Sequence, residues 1–255
     1  MLTEPIPILF IHAFPLDSTM WRTQVGGLRG LRLLTPDLRG FGRNHRLPLF
    51  DSIDAHAKDL AALLDQSSIE RALVVGLSMG GYIALALVKL FPHRVAGLVL
   101  ANTRAEPDTD IDRRKREAMI EQVTEVGTSL LPNVMLPGLV SSSCGDSLRE
   151  TIREMILRQP RQGVIAAIRS LRDRCDARGT LTQIHCPTAF VGGEFDLLSP
   201  PSFQRSMSHA VPGSTMVVIP GVGHLSNMEA PLVFNKVICD VHDRIKQVQL
   251  SGGRC

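Results

Sequence analysis

The residues Gly76-Leu77-Ser78-Met79-Gly80-Gly81 place a G-x-S-x-G pattern between an apolar run of strand length and an apolar stretch of helix length. A strand that turns straight into a helix holds its central serine in strained backbone geometry, in a turn too tight for side chains two residues to either side. Gly76 and Gly80 meet that steric need. The turn lifts the Ser78 hydroxyl clear of the backbone at the C-terminal edge of a sheet, where open α/β folds bind ligands. The helix N-terminus beneath it offers free N–H groups and partial positive charge, which favour an oxyanion. The plainer reading is a glycine-rich connection without chemistry.

A serine hydroxyl barely ionises at neutral pH, so as a nucleophile it needs a base, and the base needs an orienting carboxylate. With this motif the acid and then the histidine follow the serine along the chain. His224, in Pro220-Gly221-Val222-Gly223-His224, comes just after the last expected strand, and its glycines suit a loop folded over the sheet edge. His12 ends the first expected strand and is the rival base. Asp196, in Val191-Gly192-Gly193-Glu194-Phe195-Asp196 ahead of Pro200-Pro201, is the candidate acid, with Glu194 its competitor. An oxyanion needs two N–H donors. Met79, the residue after Ser78, is one candidate. Phe14 is the other, because Pro15 in the loop His12-Ala13-Phe14-Pro15-Leu16-Asp17 has no N–H.

The elements that must position these residues alternate in type. Apolar runs at 8–12, 31–36, 72–76, 95–101, 188–192 and 215–220 read as buried strands. Helical periodicity marks 52–64, 82–90 and 230–248, the last with Val233, Val237, Val241, Ile245 and Val248 on one stripe. Strands alternating with helices imply βαβ units and parallel pairing. Between 104 and 184 the alternation stops, and helices are expected at 110–131, 147–157 and 161–172, punctuated by Pro132, Pro137 and Pro160. The expected architecture is α/β: a mostly parallel sheet of about six strands flanked by helices, built from 1–103 and 185–250. A helical cap at 104–184 interrupts it, and the tail 251–255 is expected to fray. A substrate pocket between cap and sheet edge would draw on Met119, Val123, Leu130, Met135, Leu136, Leu139 and Ile168, with most of these simply core. Trp21, the sole tryptophan, could face the site or pack in the core.

Composition narrows the function classes. With 255 residues, 44% hydrophobic and 21% charged, the chain is ordinary globular material, not disordered or fibrous. A net charge of +3 from 28 basic and 25 acidic side chains, intermixed, gives no reason to expect nucleic acid as a partner. The run Arg113-Arg114-Lys115-Arg116 reads as a solvated helix face. Five scattered cysteines without C-x-x-C spacing argue against a disulfide framework or zinc site. No full phosphate loop, zincin helix or EF-hand is present. Gly40-Phe41-Gly42 begins like a dinucleotide fingerprint but has His45 in place of the third glycine, so neither metal nor cofactor is expected. The first residues lack the basic region of a signal peptide. The uncharged stretch 72–88 is too short and too glycine-rich to span a bilayer. A soluble, cytoplasmic protein with no membrane partner is expected; its oligomeric state is not legible.

These motifs together resemble the α/β-hydrolase superfamily over nearly the whole chain. His12-Ala13-Phe14-Pro15 is similar to its oxyanion-loop motif, and Asp37-Leu38-Arg39-Gly40-Phe41-Gly42 to the turn after its next strand. Gly76 to Gly80 is similar to its nucleophile elbow, while Asp196 and His224 fall where it carries acid and base. Within the superfamily the chain looks most like the esterase, 3-oxoadipate enol-lactonase and cofactor-free haloperoxidase branch. It departs in having Ala13 for a common glycine and a first strand close to Met1, which implies six strands without the usual opening hairpin. The resemblance implies a serine hydrolase acting on a small ester or lactone, with Ser78, Asp196 and His224 catalytic and no cofactor. Carbon–carbon bond hydrolysis and perhydrolysis would use the same residues. A slow-turnover small-molecule sensor acting through a protein partner is the reading from another class.

Overall fold

Strands apolar on both faces of the pleat must be covered on both sides. The computed structural model, described over residues 5–252, buries them in this way. The strands are β1 (Ile8–Ile11), β2 (Leu33–Leu34), β3 (Ala72–Leu77), β4 (Val95–Ala101), β5 (Thr188–Gly193) and β6 (Thr215–Ile219). They form one sheet in the order β2-β1-β3-β4-β5-β6, with every pairing parallel. β1, β3, β4 and β5 are buried throughout, while the edge strands β2 and β6 are largely half-buried. The strand expected at 31–36 shortens to two residues.

Helices α1 (Arg22–Gly27), α2 (Ile53–Gln66) and α3 (Met79–Leu90) precede β4. Between β4 and β5 lie α4 (Asp110–Val126), α5 (Leu131–Leu139), α6 (Asp146–Leu157), α7 (Arg161–Arg172) and α8 (Arg178–Leu181). Then come α9 (Pro201–Ala210), α10 (Ser226–Glu229) and α11 (Pro231–Gly252). α3 is apolar nearly all round and accordingly sits against the sheet, with Ile83 to Val88 buried. α4 is polar, buries only Val123, and starts on a reciprocal Thr109–Asp112 capping box.

Three expectations are corrected here. The helix expected at 110–131 stops at Val126, where the chain turns at Gly127 with φ +80°, and α5 starts afresh at Leu131. Pro132 and Pro137, read as breaks, belong to α5; a proline in the first turn loses no helical hydrogen bond, and Pro137 is tolerated near the end of a nine-residue helix. The buried stripe of α11 runs through Phe234, Val237, Ile238, Val241 and Ile245, leaving Val233 and Val248 exposed. α11 continues through residue 252, and the remainder of the expected frayed tail, 253–255, lies outside the described residues.

The sheet's register decides what meets at its C-terminal edge. Leu77 lies opposite Ala101, Ala101 opposite Val191, and Gly193 opposite Ile219. The residues that follow continue the ladder: Ser78 N–H donates to Ala101 O at 2.9 Å, Asn102 N–H to Val191 O at 2.8 Å, and Glu194 N–H to Ile219 O at 3.0 Å. The strand order reverses between β1 and β3, so a crevice opens at their carboxyl ends.

Candidate active site

Ser78 sits at that crevice between β3 and α3 with φ +56° and ψ −114°, a conformation L residues adopt only under constraint. The constraint is steric. A Cβ at Gly76 would collide with Gly80 O, and one at Gly80 with Ile11 O of the neighbouring strand. Two glycines therefore let the elbow press against β1 and hold Ser78 up. Among the described residues neither Met79 N–H nor Phe14 N–H is donated to a protein acceptor. Phe14 lines the same cavity as Ser78, and Met79 follows Ser78 as the first residue of α3.

Asp196 and His224 come together from the loops after β5 and β6. His224 Nδ1–H donates to the Asp196 carboxylate, with both oxygens at 2.9 Å, and both residues are buried. A carboxylate only accepts, so Nδ1 carries a proton, and Nε2 is the ring nitrogen not engaged by Asp196. Burial pushes the Asp196 carboxyl up, but the His224 partner, the Asn102 amide and the Ser199 N–H outweigh it and hold the group below the usual carboxylate range. Leu198 and Ser199 N–H both donate to Oδ1 at 2.9 Å, and Asn102 Nδ2 to Oδ2 at 2.9 Å. Ser78 and His224 line one cavity of about 500 Å³. No hydrogen bond links them among the described residues.

The rivals are committed elsewhere. His12 has Ala13 O at 3.0 Å from Nδ1 and the Leu38 N–H donating to Nε2 at 3.0 Å, so neither nitrogen is left for Ser78, and burial drives its pKa down. Glu194 accepts from Gly221 N–H at 2.8 Å. Trp21 is fully buried against Phe10 and Phe234, with ring centroids 5.0 and 6.0 Å away, and belongs to the core. Of the seven lining candidates only Met119, Met135 and Leu139 line the cavity. Val123 and Ile168 are fully buried in the core, and Leu130 and Leu136 pack against it. A helical stripe is divided between core and cavity by how its helix is rolled, which periodicity does not reveal.

Other residues at the site escaped the sequence reading. Asn102 is fully buried with φ +48°, and besides Asp196 it donates to Gly223 O at 3.3 Å and accepts from Ser226 Oγ at 2.5 Å. Glu229 accepts from Gly223 N–H at 2.8 Å and from Ser141 N–H and Oγ–H at 3.0 and 2.5 Å, tying the His224 loop to the end of α5. Asparagine just past a strand was the one available signal for the first; nothing distinguished Glu229. Lys115 and Arg116, read as solvated, line the cavity with Arg104, Tyr82, Leu197, Leu198 and Phe203. Among the described residues no group of three or more His, Cys, Asp or Glu is placed to hold a metal, and no helix is long and apolar enough to cross a membrane.

A six-stranded parallel sheet with a serine elbow at its switch point defines a fold class, and comparison with known proteins agrees. The profile of the alpha/beta hydrolase fold matches residues 6–231, and the chain belongs to that family. It is similar to a thermophilic esterase from Thermogutta terrifontis, solved with malate bound: 37% identity, 95% of this chain and 91% of that one covered, TM-score 0.91. It is also similar to the enol-lactonase from Burkholderia xenovorans LB400, at 25% identity over 94% and 92% of the two chains with TM-score 0.86. A putative carbamate hydrolase from Pseudomonas syringae is 27% identical over 82% of this chain and 83% of its own length. Fold and relatives together support a hydrolase.

Proposed function

We propose that the protein is a serine hydrolase that cleaves a small carboxylic ester or lactone through an acyl-enzyme. The observation that carries this reading is His224, bonded to the buried Asp196 and lining the same cavity as Ser78, which stands on a strained turn. Ser78 Oγ attacks the substrate carbonyl carbon while its proton passes to His224 Nε2. The oxyanion is received by the N–H groups of Met79 and Phe14. Collapse expels the alkoxide, which takes the proton from His224. Water then gives a proton to His224 and attacks the acyl carbon, and Ser78 leaves and recovers that proton. Ester and water become acid and alcohol, with nothing else consumed. Asp196 keeps the imidazole in the tautomer that the first step needs. Helices α4 to α8 act as a cap that sizes the cavity. The esterase and enol-lactonase names among the relatives agree with this substrate class.

The test is turnover of p-nitrophenyl esters from acetate to decanoate by the native protein and by Ser78→Ala. Steady turnover reduced by at least roughly 10³-fold in the variant is expected. Turnover that survives the substitution sinks the proposal, and a single burst without turnover favours a ligand sensor.

A further inference from the structure

Asp17 is a buried carboxylate that the proposed chemistry does not use. It follows directly on the loop that carries Phe14, where Leu16 N–H donates to Ala13 O at 3.0 Å and closes the turn. A buried carboxylate is costly unless it is paired and hydrogen-bonded, and Asp17 is held from two directions. From its own stretch of chain, Thr19 donates its N–H and Oγ1–H to Oδ1 at 3.0 and 2.6 Å. From the corner between α6 and α7, Arg158 donates Nε–H to Oδ2 at 2.7 Å and Nη2–H to Oδ1 at 2.8 Å, a two-pronged pairing. Gln159 adds Nε2–H to Oδ2 at 2.8 Å, and Arg158 Nη2–H also donates to Thr19 Oγ1. Burial pushes the Asp17 carboxyl up, but Arg158, Thr19 and Gln159 outweigh it and hold the group well below the usual carboxylate range.

The corner has little freedom of its own. Gln159 is buried; its Oε1 accepts from Gly42 N–H at 3.2 Å, and its Nε2 also donates to Met155 O at 2.7 Å. At the start of α7, Gly163 lies so close to Gly40 that a Cβ there would fall on Gly40 O. The loop ahead of Asp17 is held at its other end by β1 and by His12, whose ring nitrogens lie against Ala13 O and Leu38 N–H. Between the two anchors Phe14 N–H meets no protein acceptor among the described residues. Its direction is therefore set by the anchors and not by a bond of its own. An oxyanion donor has to lie within about 2.7–3.1 Å of the developing charge, and a displacement of about 1 Å costs on the order of 10²-fold in rate.

We propose that Arg158 and Gln159 are positioning residues for the oxyanion loop: their grip on Asp17 fixes the far end of that loop and so the aim of the Phe14 N–H. This rests on the serine-hydrolase reading. It couples the α6–α7 corner, distant from Ser78 in sequence, to stabilisation of the transition state and not to binding of the ground-state ester.

The two effects separate with p-nitrophenyl butyrate as substrate. Arg158→Met should lower kcat by roughly 10- to 100-fold while KM changes by less than about twofold, because the lost interaction acts as charge develops on the carbonyl oxygen. Affinity for n-butylboronic acid, which forms a tetrahedral anionic adduct on a serine, should weaken by a similar factor. Arg158→Lys keeps the charge without the planar fork and should recover only part of the loss. If Arg158→Met does not fold, because Asp17 is left as a buried charge without its cation, Asp17→Asn combined with Arg158→Met removes that charge and should show the same fall in kcat. An Arg158→Met protein that melts earlier, yet keeps kcat and boronate affinity within about twofold of native, overturns the positioning role and leaves the hydrolase reading standing. A loss confined to KM overturns it as well. If the native protein shows no Ser78-dependent turnover, the hydrolase reading fails, and the oxyanion role falls with it.

Discussion

Asn102 offers a direct test of how the buried carboxylate is held. Its side chain is fully buried, so water cannot replace the bonds lost in Asn102→Gly. The bond from Nδ2 to Asp196 Oδ2 at 2.9 Å is charge-assisted and contributes about 1.5–3 kcal/mol. The longer bond to Gly223 O and the partner lost by Ser226 Oγ add about 1 kcal/mol between them. Asn102→Gly should therefore cost about 2.5–4 kcal/mol. Asn102→Ala should cost about 1 kcal/mol more, because φ +48° is a left-handed conformation that alanine resists. The pH dependence has a definite sign. Asp196 is held below its ordinary value in the folded state, so its ionisation stabilises the fold above the carboxylate range and that contribution is lost as pH falls. Losing the Asn102 bond raises the folded pKa, so the stability gap between native protein and variant is widest at pH 7 and narrows below pH of about 4. Urea denaturation across that range measures both effects. A gap under about 1 kcal/mol at pH 7, or one independent of pH, would falsify the argument that Asn102 stabilises the charged carboxylate.

Gly80→Ala should destabilise by about 1–3 kcal/mol or more, since its Cβ meets backbone at Ile11 O and not a side chain that can turn aside; a thermal midpoint within 2 °C or so of the native one refutes this. Trp21→Phe should be neutral within about 1 kcal/mol, because the lost ring volume is offset by removing a buried Nε1–H that has no acceptor. Its kcat and KM should be unchanged, and an altered KM returns Trp21 to the site. Glu229→Gln weakens three hydrogen bonds between the His224 loop and the end of α5. It should cost about 1–3 kcal/mol and raise KM for short esters; an unchanged chevron and KM together contradict the tie.

Much of the architecture was legible because burial writes itself into residue type. A strand covered on both faces must be apolar throughout, and the six runs at the expected places pair as one parallel sheet. The limits were equally physical. The helical region misled at 127–139 because prolines in a first turn or near a helix end look like breaks in sequence. The stripe on α11 was offset because Phe234 and Ile238 face the core and Val233 does not, a roll set by the sheet beneath. The basic run at 113–116 looked uniform, yet only Lys115 and Arg116 line the cavity, and of the four only Arg116 is half-buried while the other three stay exposed.

Local steric rules determined that Ser78 stands on a strand-to-helix turn, since only glycine satisfies the close approaches at 76 and 80. They also placed Asp196 and His224 just beyond strand ends, where loops are free to fold over the edge. Whether Asp196 or Glu194 meets His224, and whether His12 is free, was settled only in three dimensions. The same holds for Asn102, Glu229 and the ion pairs of Arg104 and Arg116 beside the cavity. Hydrogen bonds such as those joining Asn102 to Asp196 and Ser141 to Glu229 depend on register and on how the helices between β4 and β5 pack against the sheet. No local sequence pattern encodes those distances.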